Sequence, residues 1–195
     1  SGGGSRELRI VIRLCISSQT PPLEPKAPPS AAGHHHAWRL GSDYTPNVGG
    51  VVPMMRALIH QSVGRWVAPN PRWVALGTSR LPAVLRTDEG YTLETVPFPE
   101  AERAPYRRFK DAIWSSFHGP SGLRFPAEDY RAFVNYNYRM ADALLRHADD
   151  YNLFYVNDFQ QILVGGLIGS AAPALLRWHI PVDFKGYSEP VRRFF

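Results

Sequence analysis

The sequence has little cysteine and no long apolar run. Cys15 is the only cysteine among 195 residues, which excludes an intramolecular disulfide and a cysteine-rich zinc site. No apolar stretch approaches the roughly 20 residues that a membrane-spanning helix needs, and the first ten residues, SGGGSRELRI, lack the apolar core of a secretory signal. These absences predict a cytoplasmic protein with no membrane partner.

Charged residues are also few, and they are not concentrated in any part of the chain. Charged residues make up 20% of the sequence, with 22 Lys and Arg against 17 Asp and Glu, and the basic residues form neither a block nor a regular stripe. This pattern favours a solvated surface, or attraction to a phosphorylated small molecule, over a nucleic-acid groove. Hydrophobic residues make up 44%, which is typical of a globular domain that buries about 70% of its unfolded surface.

The first 46 residues indicate an amino-terminal strand followed by a proline-rich flexible segment. Residues 8–16, LRIVIRLCI, are β-branched and apolar enough for a buried strand, although Arg13 interrupts the pattern. Residues 17–33 contain five prolines and many small side chains, which predicts an extended loop or a disordered tail. Three histidines follow at positions 34–36, and such a run beside a flexible segment more often has no specific role than holds a metal.

Residues 47–195 indicate strands that alternate with helices. Apolar residues at helical spacing follow Gly50 and stop at Gly64, which suits the C-terminal cap of a helix. Pro126, with two acidic residues soon after it, is typical of a helix start. The predicted strands are residues 73–76, 91–98, 153–157 and 174–180, and the predicted helices are residues 51–64, 100–116, 127–147 and 159–168.

Polar residues suited to chemistry follow the last two predicted strands. Asp158 comes directly after LFYVN, His179 lies near the end of ALLRWHI, and a helix-forming segment joins the two runs as in a βαβ unit. Ligands of open α/β sheets collect at the carboxyl ends of parallel strands, so we expect both side chains to project into one cleft. Asp158 could instead cap the next helix, and His179 could be a hydrogen-bonded core residue. The predicted fold class is α/β, a Rossmann-like open parallel sheet with flanking helices.

Five motifs occur in the order in which they are found in trehalose-6-phosphate synthases, and the chain resembles that family. They are NVGGVVPMMRAL from residue 47, YRRFKDAIWSSFH from residue 106, NYRMADALL from residue 137, YVNDFQQILVG from residue 155 and RWHIP from residue 177. Each motif alone is weak, and the specificity lies in the ordered set. The resemblance implies one half of a GT-B fold, with residues 47–195 as the amino-terminal Rossmann-like domain. The carboxyl-terminal nucleotide-sugar domain would lie outside these 195 residues.

The resemblance also implies roles for residues of the first two motifs. Gly49 and Gly50 would form the loop that lets the backbone approach the donor diphosphate, although a glycine pair by itself more simply indicates a tight turn. Tyr106 and Trp114 would contact the acceptor, glucose-6-phosphate, since aromatic faces suit a sugar and a phenol can bind phosphate. Core packing on an amphipathic helix is the alternative for both aromatic residues.

Asp158 and His179 would be catalytic in such an enzyme. Asp158 would hydrogen-bond the acceptor sugar near its reacting hydroxyl and help the proton leave. His179 would contact the donor glucose near the anomeric carbon, where positive charge develops. The chain departs from the family at Asn157 and Gln160, where histidines are usual, so donor and acceptor choice could differ. In LRIVIRLCISSQTPP, no residue is assigned the role of the arginine that meets phosphate after the family's first strand.

The implied activity is transfer of glucose from a nucleotide sugar such as UDP-glucose to glucose-6-phosphate, with retention, in trehalose biosynthesis. The nucleotide sugar is a substrate, and neither a cofactor nor a metal is implied. The isolated half would transfer almost nothing, because the other half supplies the basic clamp on the diphosphate. Two alternatives stay open: a trehalose synthase-type glycosyltransferase that uses free glucose, and a non-catalytic Rossmann subunit with a regulatory or scaffold role.

Overall fold

A computed structural model describes residues 11–27, 37–119, 122–181 and 183–195. The strands in these residues are β1 (Leu14–Ser18), β2 (Leu23–Pro25), β3 (Tyr44–Pro46), β4 (Arg72–Leu76), β5 (Val84–Arg86), β6 (Thr92–Val96), β7 (Leu153–Asn157) and β8 (Ala174–Arg177). The α-helices are α1 (Val52–Ser62), α2 (Glu100–His118), α3 (Ala127–Leu145), α4 (Val164–Ile168) and α5 (Glu189–Phe194). None of these helices combines the length and the apolar character that crossing a membrane requires.

Six of the described strands form one mostly parallel sheet in the order β5, β6, β4, β1, β7, β8. β1 lies at its centre, and Ile16 stands opposite Trp73 of β4 and Tyr155 of β7, with parallel pairing on both sides. β5 pairs antiparallel with β6, and β2 pairs antiparallel with β3 in a separate two-stranded sheet. Since β1, β4, β6, β7 and β8 run parallel, their last residues lie along one edge of the sheet, here named the carboxyl edge. The predicted Rossmann-like α/β class is confirmed.

Side chains of β1 alternate between two apolar cores, one on each face of the sheet. Leu14 and Ile16 lie in the core that includes Met55 of α1, whereas Cys15 lies in the core that includes Phe133 of α3. All five residues of β1 are buried, as expected for a central parallel strand that helices cover on both faces. Burial raises the pKa of the Cys15 thiol, so this cysteine is a packed apolar side chain rather than a nucleophile.

The long helices α2 and α3 pack antiparallel beside the sheet. Tyr106 of α2 contacts two α3 rings, with centroid distances of 4.6 Å to Tyr136 and 6.1 Å to Phe133. Arg108 of α2 reaches the start of α3, where its Nε donates to both carboxylate oxygens of Asp129 at 3.1 Å. Both helices begin where the sequence predicted and end within two residues of the predicted bounds, because proline starts and helical periodicity are local signals.

The prediction of an extended loop or disordered tail for residues 17–33 is wrong for part of that range. Ser17 and Ser18 complete β1, and residues Leu23–Pro25 form β2. Leu23 is buried in the same core as Ile16. Prolines are compatible with this arrangement because a two-stranded sheet has outer edges, where a missing backbone N–H costs little.

The remaining amino-terminal predictions are tested less directly. Residues 28–36, which include the three histidines, and residues 1–10 lie outside the described residues. The division between residues 46 and 47 stays a prediction. However, β1 comes from the first of those two segments and pairs at the centre of a sheet whose other strands come from the second.

The connection between β7 and β8 differs in detail from the predicted single helix over residues 159–168. It consists of a 3-10 turn, Phe159–Gln161, the short helix α4 and a second 3-10 turn, Gly169–Ala171. β8 also ends at Arg177 instead of continuing to residue 180, and Leu175 and Leu176 are exposed. An apolar run predicts a strand but does not reveal whether the strand lies at the edge of its sheet.

Candidate active site

The carboxyl edge brings together the two residues that the sequence placed after neighbouring strands. Asp158 directly follows β7, and His179 lies two residues beyond β8, which pairs in parallel with β7. The Nδ1 atom of His179 lies 3.1 Å from the Oδ2 atom of Asp158. The expected convergence of these side chains is therefore present in the structure, and their catalytic roles stay predictions.

Asp158 has a strained backbone. Its φ of 74° and ψ of 168° lie in a region that is open to glycine and costs another residue about 1–3 kcal/mol. Neighbouring contacts hold it there: its N–H donates to the carbonyl of Arg177 at 2.7 Å, and its carboxylate accepts from the N–H of Phe159 at 2.9 Å. The second contact confirms the capping interpretation of Asp158. Strain of this kind is typical of residues that a functional site holds in place.

The charge of Asp158 is partly removed from water. The residue is 7% exposed, and this burial raises the pKa of its carboxyl, although the N–H of Phe159 and the nearby His179 and Arg177 act in the opposite direction. The His179 side chain is 33% exposed, so the pair reaches solvent through the imidazole. A carboxylate with a raised pKa beside an imidazole can accept a hydrogen bond from a substrate hydroxyl and take part in proton transfer.

The side-chain amide of Gln161 is hydrogen-bonded beneath the carboxyl edge. It is fully buried, and its side chain bonds to the hydroxyl of Ser17 at 2.5 Å and to that of Tyr136 at 3.3 Å. With the amide oriented so that its nitrogen donates to Ser17, its oxygen also accepts from the N–H groups of Ser18 and Gln19. Sequence reasoning missed Gln161; the available signal was a pair of glutamines, Gln160 and Gln161, in a largely apolar crossover.

The two predicted acceptor-binding aromatic residues have different environments. The ring of Tyr106 is buried, as the core-packing alternative expects, and its hydroxyl donates to the Oε1 of Gln19 at 3.0 Å. Trp114 is 45% exposed. Its ring centroid lies 4.5 Å from that of His118 and 6.0 Å from that of Phe159, the residue after Asp158. Trp114 therefore presents an aromatic face near the candidate site.

The Gly49–Gly50 loop precedes α1 and is exposed. Gly50 has a φ of 61°, so the tight-turn interpretation is confirmed. The N–H of Gly49 donates to the side-chain oxygen of Asn47 at 3.1 Å. Within α1, Met55 lies 3.6 Å from the side-chain amide of Asn157, the last residue of β7. The helix therefore packs beside the strand that carries Asp158, while the donor-binding role of the glycines stays a prediction.

A small pocket opens between the carboxyl edge and α2. Three basic side chains line it, Arg103, Arg107 and Lys110, together with Gln19 and Tyr106. The prediction that basic residues form no regular stripe is wrong for α2, because these three basic residues recur at helical spacing. Sequence reasoning missed them, although the spacing in ERAPYRRFK was the signal.

Three solved structures illustrate what this chain is similar to. A trehalose-6-phosphate synthase from E. coli bound with UDP-2-fluoro glucose has a TM-score of 0.61 and 18% identity, over 93% of this chain and 36% of that one. The synthase from Burkholderia multivorans has a TM-score of 0.58 and 24% identity, over 94% of this chain and 35% of that one. The Burkholderia xenovorans enzyme in complex with glucose-6-phosphate has a TM-score of 0.60 and 17% identity, over 87% of this chain and 33% of that one.

Sequence comparisons add no family assignment, since no protein-family model matches the chain and no curated protein matches it. The chain spans about a third of the length of the solved structures. At these identities the likeness concerns the fold, and it agrees with the resemblance drawn from the ordered motifs. The chain thus resembles the trehalose-6-phosphate synthases and has the Rossmann-like α/β architecture of their GT-B glycosyltransferase fold.

Proposed function

We propose that this chain forms the acceptor side of a glycosyltransferase in trehalose biosynthesis. The enzyme moves glucose from a nucleotide sugar such as UDP-glucose to glucose-6-phosphate, with retention. The observation that carries the proposal is the contact between Asp158 and His179 at the carboxyl edge, in a chain with the fold of trehalose-6-phosphate synthases. Solved structures of that family hold UDP-2-fluoro glucose and glucose-6-phosphate, the two ligand classes that this function requires.

Asp158 orients the acceptor in this proposal. Its carboxylate is fixed by the N–H of Phe159 on one side and by the imidazole of His179 on the other. It accepts a hydrogen bond from the reacting hydroxyl, and its raised pKa makes it a better proton acceptor than an exposed aspartate. Holding the nucleophile in place lowers the entropic part of the barrier.

His179 acts on the donor in the same proposal. Its Nδ1 faces Asp158, which leaves the opposite side of the imidazole for the donor glucose. In this proposal the imidazole or the neighbouring backbone carbonyl stabilises the positive charge that develops at the anomeric carbon. Attack on the face that the leaving group departs from depends on such positioning more than on a strong base. The Gly49–Gly50 loop approaches the donor diphosphate, and a carboxyl-terminal partner domain supplies the remaining clamp.

The alternative of a non-catalytic scaffold subunit rests on Asn157 and Gln160, which replace histidines usual in the family. Asn157 is buried and donates to the carbonyl of Ser17 at 3.1 Å. This substitution therefore lies inside the packed sheet and leaves the contact between Asp158 and His179 intact. The geometry favours the enzyme over the scaffold.

Binding and transfer assays test this function. We expect calorimetry to show that the 195-residue chain binds glucose-6-phosphate, and that Asp158→Asn weakens binding while the exposed Asp149→Asn does not. The complete reading frame that encodes these residues should transfer labelled glucose from UDP-glucose to glucose-6-phosphate. A chain that binds no sugar phosphate, encoded in a reading frame that transfers no glucose, would overturn the proposal.

A further inference from the structure

One buried carboxylate, that of Glu89, contacts the chain on both sides of the Gly49–Gly50 loop. Glu89 lies in the tight turn between β5 and β6, which closes with a hydrogen bond from the N–H of Gly90 to the carbonyl of Thr87 at 3.2 Å. Its side chain is 5% exposed, although Gly90 beside it is exposed. A carboxylate that is removed from water in this way needs partners, because an unpaired buried charge is strongly unfavourable.

Two partners of Glu89 come from α1, which follows the loop. The Nε of Arg56 donates to the Oε1 of Glu89 at 3.0 Å, and a terminal nitrogen of Arg56 donates to the same oxygen. The Nε2 of His60 lies 3.1 Å from that oxygen. Arg56 and His60 are four residues apart in α1, so they project from the same side of the helix. Two side chains therefore attach α1 to the turn between β5 and β6.

Another partner comes from the chain before the loop. The hydroxyl of Tyr44, the first residue of β3, lies 2.9 Å from the Oε2 of Glu89. The same hydroxyl lies 3.0 Å from the Oδ1 of Asp88, and its single proton serves one carboxylate at a time. The ring of Tyr44 is buried in the core that includes Met55 of α1. Glu89 thus binds the chain five residues before the glycine pair and, through α1, six residues after it.

The bonds where the loop joins α1 are weak. The N-cap of α1, Val51, has no side-chain hydrogen bond, and the N–H of Val52 lies at the long distance of 3.4 Å from the carbonyl of Gly49. A Cβ on Gly50 would meet no atom beyond its chain neighbours within 4 Å, so the space around this backbone is open to a ligand. The position of the loop therefore depends on how α1 and β3 are held.

The carboxylate of Glu89 is charged at neutral pH. Burial by itself raises its pKa, but the hydrogen bonds from Arg56, Tyr44 and His60 outweigh burial, and the net pKa is lowered. Hydrogen bonds to a charged acceptor are about twice as strong as neutral ones. Removal of this charge therefore weakens the contacts on both sides of the loop.

We propose that Glu89 is a positioning residue for the donor: it holds both flanks of the Gly49–Gly50 loop and thereby fixes the loop where it approaches the donor diphosphate. The inference rests on the proposed function, and it concerns a residue outside all five motifs that resemble the family. The helix α1 transmits the constraint, since the six residues from Gly50 to Arg56 correspond to about 9 Å at helical rise.

Kinetics with the enzyme encoded by the complete reading frame test this role. Glu89→Gln should raise the KM of UDP-glucose about tenfold, because the donor must then order the loop, and fixing one backbone residue costs about that factor in affinity. The KM of glucose-6-phosphate and kcat should change by less than about twofold, since the loop regains its native position once the donor is bound. Tyr44→Phe keeps the buried ring and removes only the hydroxyl, and it should raise the KM of UDP-glucose about threefold.

Glu94→Gln is the matched control. Glu94 is also a buried carboxylate with basic partners, but these are Arg72 of β4 and two residues that follow α3, so its loss should change the KM of UDP-glucose by less than about twofold. Hydrogen exchange of the 195-residue chain gives a readout that does not depend on transfer. The amides of residues 55–59, around Arg56, should exchange about tenfold faster in Glu89→Gln than in Glu94→Gln.

The outcomes separate this inference from the proposed function. If Glu89→Gln leaves the KM of UDP-glucose unchanged in an enzyme that transfers glucose, positioning by Glu89 fails and the function stands. If Glu89→Gln and Glu94→Gln raise this KM equally, the effect is a general loss of stability and the inference is overturned. A native enzyme that transfers no glucose overturns the function. Positioning of the loop by Glu89 then stands if exchange of residues 55–59 is selectively faster in Glu89→Gln, and fails if it is not.

Discussion

The imidazole of His179 and the carboxylate of Asp158 are in contact, with 3.1 Å between Nδ1 and Oδ2. The contact exists because β7 and β8 are parallel neighbours whose last residues, Asn157 and Arg177, stand opposite each other. It joins a buried acid to a histidine that is one-third exposed. This pair is the chemical centre of the proposed site.

Asp158→Asn should separate binding from stability. The variant keeps an acceptor for the N–H of Phe159 but loses the charge, so the affinity for glucose-6-phosphate should fall at least about tenfold, as for loss of one charged hydrogen bond.

Burial raises the pKa of Asp158 in the folded chain. Ionisation of Asp158 therefore destabilises the folded state. This destabilisation is absent below the ordinary pKa of about 3.9, and it grows as pH rises through the folded pKa.

The stability part of this prediction is checked by urea unfolding of both proteins at about pH 4 and pH 7. The free energy of unfolding of Asp158→Asn, relative to the native chain, should increase between these pH values. Asp149→Asn, at an exposed position, should show no such increase. A relative stability that falls with pH would contradict the raised pKa of Asp158.

The backbone strain at Asp158 predicts an unusual order of stability for two variants. Asp158→Gly and Asp158→Ala both lose the carboxylate, but glycine adopts a φ of 74° without strain. Asp158→Gly should therefore be more stable than Asp158→Ala by about 1 kcal/mol or more. The same pair at Asp149, which has no positive φ, should show the reverse order. Equal stabilities of the two Asp158 variants would rule out strain at this residue.

Trp114→Ala should weaken sugar binding and cost little stability. The side chain is 45% exposed and packs against His118 and Phe159, so the free energy of unfolding should fall by about 1 kcal/mol. Loss of the aromatic face should raise the Kd of glucose-6-phosphate several-fold. Trp66→Ala is a matched control, since Trp66 is 46% exposed and lies at the opposite end of the sheet, where its carbonyl accepts from Ile12. Equal effects of both variants on binding would argue against a sugar platform at Trp114.

A buried acid in β6 predicts loss of stability in acid. Glu94 contacts Arg72 and His147 at 2.7 Å and Arg146 at 3.2 Å. Burial by itself raises the pKa of Glu94, but the contacts with His147, Arg146 and Arg72 outweigh it, and the net pKa is lowered. The stabilisation is therefore complete above the ordinary pKa of about 4.3 and is lost as pH falls through the folded value.

The variant Glu94→Gln measures this contribution. It should lower the free energy of unfolding at neutral pH by about 2 kcal/mol, because Arg72, Arg146 and His147 lose their common partner. The difference from the native chain should shrink as pH falls, since the native carboxyl becomes protonated. Glu100→Gln, whose side chain is 92% exposed in the native chain, should change stability by less than about 0.5 kcal/mol.

Local patterns predicted much of the secondary structure and part of the site. The starts of α2 and α3, the core of β6 and the position of Asp158 after β7 follow from prolines, periodicity and short apolar runs, which act within a few residues. The same patterns failed where tertiary pairing decides. They did not reveal that residues Leu23–Pro25 pair with β3, because a proline-rich stretch carries no signal for a distant partner.

The sequence by itself determined that Asp158 and His179 follow successive strands and that α2 carries basic residues at helical spacing. Only the tertiary structure decided that β1 lies between β4 and β7, which brings Gln19 to α2, and that β7 and β8 are neighbours, which brings the acid to the imidazole. The physical reason is that helical spacing is set by local backbone geometry. Strand order depends instead on burying two faces of a sheet with residues far apart in the chain.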